Sequence, residues 1–147
     1  MLSWQQIFCS DFFMGFQVGD TRSVTVTITD QMVRGFAEIS GDKNPIHLDE
    51  EYAKTTRFGR RIAHGMLAGA IISRALAMEL GKGGIYLSQN LKFLVPIYID
   101  DTIVVDLKVL QLRHEKGIGT VETLVTKKST GEICVKGEAI IMQKEKA

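Results

Sequence analysis

Residues 63–80 constrain the fold more than any other part of the chain. This segment has no Asp, Glu, Lys or Arg before Arg74, and its apolar side chains would surround a helix instead of forming one stripe, so we expect a buried helix. Four small residues would let a sheet approach the helix axis closely: Gly65, Ala68, Gly69 and Ala70. The segment therefore predicts a central helix with other elements packed around it.

Strand patterns lie on both sides of this helix. Val24, Val26 and Ile28 alternate with polar residues, which is the period of a half-buried strand. Beyond the helix and its terminal glycines, four strand-like runs follow at residues 85–99, 102–112, 119–126 and 133–142, and they predict a meander. Pro96 cannot donate to a strand ladder, so we expect a bulge or bend there.

Two short helices are predicted between the first strand and the central helix. Thr29 or Asp30 would cap the first helix, whose Met32, Val33, Phe36 and Ala37 share one face. Asp49 would cap the second helix over residues 50–53. Together with the strands, these helices predict the α+β class, with an antiparallel sheet wrapped round a long central helix.

Composition limits the classes of protein to consider. A chain of 147 residues with 45% apolar content suits one domain over residues 1–147. Its formal charge of +1 offers no broad basic surface for nucleic acid or lipid, and no apolar run is long enough to cross a membrane. Cys9 and Cys134 lie far apart and are expected to be free thiols in a reducing, cytoplasmic setting. Residues 1–16 are expected to belong to the folded protein, because they lack the pattern of a signal peptide.

A turn over residues 41–49 carries the candidate chemistry. Asp42 and His47 lie five residues apart, and Asn44-Pro45 stands between them. Because proline disfavours the helical region for the residue before it, the backbone should bend there and aim both side chains at one point. A carboxylate beside an imidazole is suited to moving a proton on and off one water molecule.

One family resemblance covers nearly the whole chain. It rests on the run Phe36-Ala37-Glu38-Ile39-Ser40-Gly41-Asp42-Lys43-Asn44-Pro45-Ile46-His47, on Asp49, Tyr52 and Ala53, and on Ala63-His64-Gly65-Met66. This pattern resembles the MaoC-like, R-specific enoyl-CoA hydratase family. The resemblance implies a hot-dog fold, reversible addition of water to trans-2-enoyl thioesters, and a pocket at or near the interface of a homodimer or a higher multiple of dimers.

The resemblance also implies roles for individual residues. Asp42 would be the base and His47 the acid, although the opposite assignment fits equally well. Gly65 would donate its main-chain N–H to the thioester oxyanion, because the first N–H groups of a helix have no intrahelical acceptor. Asn44 would orient the turn or contact the water, and Ser40 would do likewise. For His64 a structural role is favoured over a catalytic one.

Four basic residues lie between the catalytic turn and the central helix: Lys54, Arg57, Arg60 and Arg61. They would form either a solvated face or a binding site for the phosphates of coenzyme A or for an acidic carrier protein. The sequence has no glycine-rich phosphate loop and no metal-ligand spacing, so we expect neither a cofactor nor a metal.

Other functions remain open for the same pattern. The competing enzyme is an (R)-3-hydroxyacyl-carrier-protein dehydratase of fatty-acid synthesis, which could use the same two residues. A thioesterase is less favoured, because residues 66–73 of the central helix offer no carboxylate. An interpretation of another class is a non-catalytic acyl-thioester binding protein, against which the intact Asp42, Asn44 and His47 argue.

Overall fold

Five antiparallel strands form one sheet. The computed structural model describes residues 16–81 and 83–143, with the side chain of Gln143 excepted, so Cys9 and nearly all of the N-terminal stretch lie outside the described residues. The strands are β1 (Thr21–Thr27), β2 (Gly84–Phe93), β3 (Thr102–Arg113), β4 (Ile118–Lys127) and β5 (Ile133–Gln143). Their order in the sheet is β1-β3-β4-β5-β2, which confirms the predicted α+β class.

The predicted meander is correct for β3, β4 and β5 but wrong for β2. β2 pairs with β5, with Phe93 opposite Val135, and so forms the edge of the sheet. It ends at Phe93, before Pro96, where the strand prediction had run on to residue 99. Because no tight turn joins β2 to β3, the intervening segment is free to cross to the far side of the sheet, where β3 pairs with both β1 and β4.

Local signals account for the helices that precede the central one. Helix α1 (Asp30–Ser40) is capped by Thr29, which accepts a hydrogen bond from the main chain of Met32 at 3.2 Å. Helix α3 (Glu50–Lys54) is capped by Asp49, as predicted. Between them a single helical turn, α2 (Pro45–Leu48), was not predicted. Pro45 is the first residue of this turn. Proline suits that position, because the first N–H of a helix makes no hydrogen bond within the helix.

The central helix is α4 (Gly65–Ala75), and it continues as a π-helical turn over Leu76–Leu80. Its inward face lies in one apolar core with side chains of β3, β4 and β5: Leu67, Ala68, Ile71, Ile72, Val105, Val121, Val125 and Ala139. At Gly69 a Cβ atom would lie 3.3 Å from the side chain of Leu91, so the glycine permits the close approach of β2.

The prediction of a helix buried on all sides is wrong for a single chain. Met66 is 56% exposed, and Ala70 and Met78 are exposed as well. A single sheet covers only one side of a helix, so the opposite side of α4 stays open. In the part of the chain that the structure describes, no helix combines the length and apolarity needed to span a bilayer.

Candidate active site

Asp42 lies just after the end of α1, in a short loop held by side chains. Gly41 ends the helix with a φ of 77°, a left-handed conformation that glycine adopts without strain. The hydroxyl of Ser40 accepts the main-chain N–H of Asp42 at 3.1 Å, and the carboxylate of Asp42 accepts the main-chain N–H of Asn44 at 3.2 Å. Asn44 in turn caps α2 through Ile46. Ser40 and Asn44 therefore define the path of the loop.

His47 lies on α2, and the segment before α4 holds it in place. Its Nδ1 is 2.8 Å from the main-chain oxygen of Ile62. Because a carbonyl only accepts hydrogen bonds, Nδ1 carries the proton and Nε2 keeps its lone pair while the ring is neutral. Arg61 donates from Nε to the main-chain oxygen of His47 at 2.7 Å, so ring and backbone are held by adjacent residues.

The environment of His47 favours the neutral imidazole. Burial holds the pKa of His47 below its ordinary value, and the neighbouring ring of His64 lowers this pKa further. The hydrogen bond to Ile62 and the charge of Asp42 oppose the shift but are outweighed. His47 is therefore a proton acceptor at neutral pH.

Asp42, His47 and His64 come together at one cavity. One possible ligand atom from each residue lies within 4.8 Å of the others, and the rings of His47 and His64 stack with centroids 3.9 Å apart. The cavity has a volume of about 390 Å³, and apolar side chains form much of its wall: Phe58, Ile62, Phe93, Leu94, Val95, Ile97 and Val135. The arrangement places proton-transfer groups at one end of an apolar cleft.

Gly65 lines the same cavity as the first residue of α4. Its main-chain N–H has no acceptor within the helix and lies at the positive end of the helix dipole. The ring of Phe93 covers this glycine, and its nearest atom is 2.7 Å from where a Cβ atom would stand. Gly65 thus combines a main-chain donor with a position that has no room for a side chain.

The same three side chains are also the group that could hold a metal ion. Within the described residues, only Asp42, His47 and His64 place three potential ligand atoms close enough together. Each imidazole has one nitrogen bonded to a main-chain oxygen, as metal-bound histidines often do. The Nδ1 of His64, the ring nitrogen not bonded to Asp42, is buried and has no hydrogen-bond partner among the described residues. The absence of a metal stays a prediction.

The four basic residues occupy different environments. Lys54 pairs with Glu51 at 2.6 Å, and Arg61 bonds both Asp30 and the main chain of His47 with its side chain only 11% exposed. Arg57 lies over the ring of Phe58 and lines the cavity.

Arg60 lies over the ring of Tyr98 at 4.1 Å. Neither Arg57 nor Arg60 forms an ion pair with an Asp or Glu among the residues that the structure describes. Their guanidinium groups therefore differ from the side chains of Lys54 and Arg61, which are held in ion pairs.

Two contacts at this site have no signal in the sequence. His64 was expected to be structural, and its stacking on His47 has no local signal, because the two residues come from separate segments. Phe93 ends a strand remote in sequence from Gly65, and alternation in a strand does not report which helix the strand crosses.

Comparison with known proteins bears on the same residues. A family model described as "MaoC like domain" matches residues 16–132, which include the turn with Asp42 and His47 and the start of α4. The chain is 40% identical over 132 residues to an "(R)-specific enoyl-CoA hydratase" of Rhodospirillum rubrum, covering 89% of this chain and 90% of the relative. It is also 40% identical to a "3-hydroxybutyryl-CoA dehydratase" of Methylorubrum extorquens, covering 88% and 82% of the two chains.

A solved structure shares the fold. The R-hydratase PhaJ1 of Pseudomonas aeruginosa, in its unliganded form, superposes with a TM-score of 0.85 at 42% identity, covering 91% of this chain and 86% of that one. The similarity includes the antiparallel sheet and its central helix, so the predicted hot-dog fold is confirmed. With a model match over most of its length and relatives covered almost end to end, the chain belongs to the family of the MaoC-like domain.

Proposed function

We propose that the protein catalyses the reversible hydration of trans-2-enoyl thioesters, chiefly of coenzyme A, to (R)-3-hydroxyacyl thioesters. The observation that carries the proposal is the convergence of Asp42 and a neutral His47 beside an apolar cavity. The relatives from Rhodospirillum rubrum and Methylorubrum extorquens are named for a hydratase and a dehydratase of CoA thioesters, which supports the same reaction.

The arrangement supports a simple order of proton transfers. Water held between Asp42 and Nε2 of His47 gives a proton to Nε2 while its oxygen bonds to the β-carbon. The electron pair of the double bond moves onto the thioester oxygen, where the N–H of Gly65 stabilises the enolate. The proton on Nε2 then passes to the α-carbon as the carbonyl re-forms. Dehydration reverses each step and leaves both residues unchanged.

This order assigns the base role to His47, with Asp42 holding the water and stabilising the imidazolium. Sequence reasoning favoured Asp42 as the base and left the opposite assignment open. The proton on Nδ1, fixed by Ile62, and the lowered pKa of His47 support the opposite assignment.

The substrate's phosphate groups would meet Arg57 and Arg60. Their guanidinium groups are stacked on aromatic rings and have no described carboxylate partner, whereas Lys54 and Arg61 are already paired. The same two arginines would suit the acidic surface or phosphopantetheine of a carrier protein, so a carrier-protein dehydratase is the second candidate. Comparing crotonyl thioesters of coenzyme A and of carrier protein as substrates would separate the two candidates.

We also propose that two copies associate along β2. This strand is one edge of the sheet, and it bears the exposed apolar side chains of Leu87 and Phe93, which are 47% and 54% exposed. Phe93 and Leu94, the latter 51% exposed, also line the cavity. Met66, on the open side of α4, lies beside them at the same cavity. A second copy would cover the edge, the helix and the open wall of the cleft together.

The direct test is turnover of crotonyl-CoA, followed as loss of the conjugated thioester absorbance. Wild-type protein should be active, and Asp42→Asn and His47→Ala should each lose activity by a factor on the order of 100 or more. His114→Ala, outside the cavity, is the matched control and should keep wild-type activity. Full activity in both dyad variants would reject the proposed function, and tight acyl-CoA binding without turnover would favour the non-catalytic alternative.

A further inference from the structure

We propose that His64 is a positioning residue that sets the geometry between Asp42 and His47. The inference rests on the proposed function, because turnover is what the geometry would serve. His64 is the residue before α4 and is only 2% exposed, although it lines the wall of the cavity.

The bonding of His64 does not suit a plain helix cap. Its side chain makes no capping hydrogen bond to α4, which is the usual task of a polar residue at this position. Its Nε2 lies 2.9 Å from the main-chain oxygen of Asp42, and because that oxygen only accepts, Nε2 is the donor. Nδ1 has no hydrogen-bond partner among the described residues. Within the described residues, the hydrogen bond of this ring therefore goes to the loop of Asp42 and not to α4.

The hydrogen bond joins the loop of Asp42 to a rigid element. Asp42 lies between α1 and α2, where no helical or strand ladder holds its main chain. The bond from His64 anchors the carbonyl of Asp42 to the start of α4. Since the carboxylate extends from the same residue, its direction depends on this anchor.

The ring of His64 also orients the second member of the dyad. It stacks on His47 with an interplanar angle of 29°, and the ring of Phe36 packs against it with centroids 4.9 Å apart. The ring of His64 thus contacts Phe36 on α1 and His47 on α2 at the same time. The side chain of His64 bonds Asp42 and stacks on His47, so it fixes the position of these two residues relative to each other.

Three variants separate the donor from the bulk of the ring. His64→Gln keeps an N–H at the reach of Nε2, His64→Leu keeps apolar volume without a donor, and His64→Asn keeps a donor too short to reach Asp42. For crotonyl-CoA we expect kcat to fall by on the order of 10- to 100-fold in the His64→Leu and His64→Asn variants, with KM changed less than about threefold. His64→Gln should recover most of kcat. A purely structural role predicts the same kcat for all three folded variants, and that result would overturn the inference.

A double-variant cycle tests whether His64 acts through Asp42. In an Asp42→Asn background, the substitution His64→Asn should change kcat by less than about threefold. Without the Asp42 carboxylate, there is no longer an Asp42–His47 geometry for His64 to set. Equal fold-losses in both backgrounds would overturn the inference, because they would mean that His64 acts independently. An inactive wild-type enzyme would instead reject the proposed function, so the two failures are distinguishable.

Discussion

At the residue scale, one main-chain oxygen decides the chemistry of His47. Ile62 holds the proton on Nδ1, so Nε2 is presented to the cavity as an acceptor. Burial then keeps the ring neutral by lowering its pKa. The same pair of residues on an exposed turn would lack both effects, and this explains why the turn motif needs the segment before α4.

The first prediction concerns the pH dependence of kcat. Because the pKa of His47 lies below the ordinary value of 6.5, activity that needs the neutral ring should persist as the pH falls through 6.5 and decline only below it. A pH profile of kcat from pH 5 to 8 with crotonyl-CoA checks this. If His47 must instead be protonated, activity would rise towards low pH, which would return the base role to Asp42.

The second prediction concerns Gly65. A methyl group there would meet the ring of Phe93 at 2.7 Å and would crowd the approach to the main-chain N–H. We expect Gly65→Ala to lower kcat for crotonyl-CoA by about 10- to 100-fold, within the range seen when an oxyanion donor is disturbed. Gly35→Ala, in α1 with open space around it, is the matched control and should keep full activity. Unchanged kcat in Gly65→Ala would remove Gly65 from the oxyanion site.

At the element scale, the short segment that enters α4 organises the site. Arg61, Ile62 and His64 bond the main chain of His47, its ring and the main chain of Asp42 in turn. These three contacts from one segment hold both the loop of Asp42 and the helical turn α2. Arg61 also reaches Asp30 at the start of α1 and, as the strongest influence on it, holds the pKa of that carboxyl below its usual value.

The third prediction compares the two arginines that share Asp30. Arg61 is mostly buried and bonds His47 as well, whereas Arg34 is exposed and pairs with Asp30 from the next helical turn. Arg61→Met should therefore lower the free energy of unfolding by about 1–3 kcal/mol, because the partly buried main-chain oxygen of His47 would lose its donor. Arg34→Met should lower it by less than about 0.5 kcal/mol. Urea denaturation measures both, and equal effects would contradict the role assigned to Arg61.

At the scale of the whole molecule, one side of the fold is left apolar and open. Exposed apolar side chains lie along β2 and on the outward face of α4, and two of them, Phe93 and Met66, line the cavity. An uncovered apolar edge of this kind favours self-association. Burying it would also remove water from the cleft, where hydrogen bonds to developing charge become stronger.

The fourth prediction concerns that open side. Leu87→Glu should shift the protein from dimer towards monomer in sedimentation analysis, because a charge would then face the partner's apolar edge. Ile39→Glu is the matched control, since Ile39 is 89% exposed on α1, apart from β2, and should leave the mass unchanged. A wild-type monomer at micromolar concentration would contradict the proposed association.

Much of the molecule could be predicted from sequence alone, wherever one segment contains both the signal and its consequence. Thr29 and Asp49 cap their helices within a few residues, and the alternation in β3 marks which side chains face the core. Asp42 and His47 lie five residues apart on either side of Asn44-Pro45, so their closeness also followed from local chain geometry.

Tertiary structure alone decided the contacts between segments. Nothing in the pattern of β2 indicates that it pairs with β5, and nothing local brings His64 to Asp42, Arg61 to His47 or Phe93 to Gly65. Periodicity reports which side of an element is buried, while the choice of partner depends on how all the buried sides fill one core. The sequence therefore determined most of the helices and strands and the closeness of Asp42 and His47, and packing determined the groups that hold these two side chains in place.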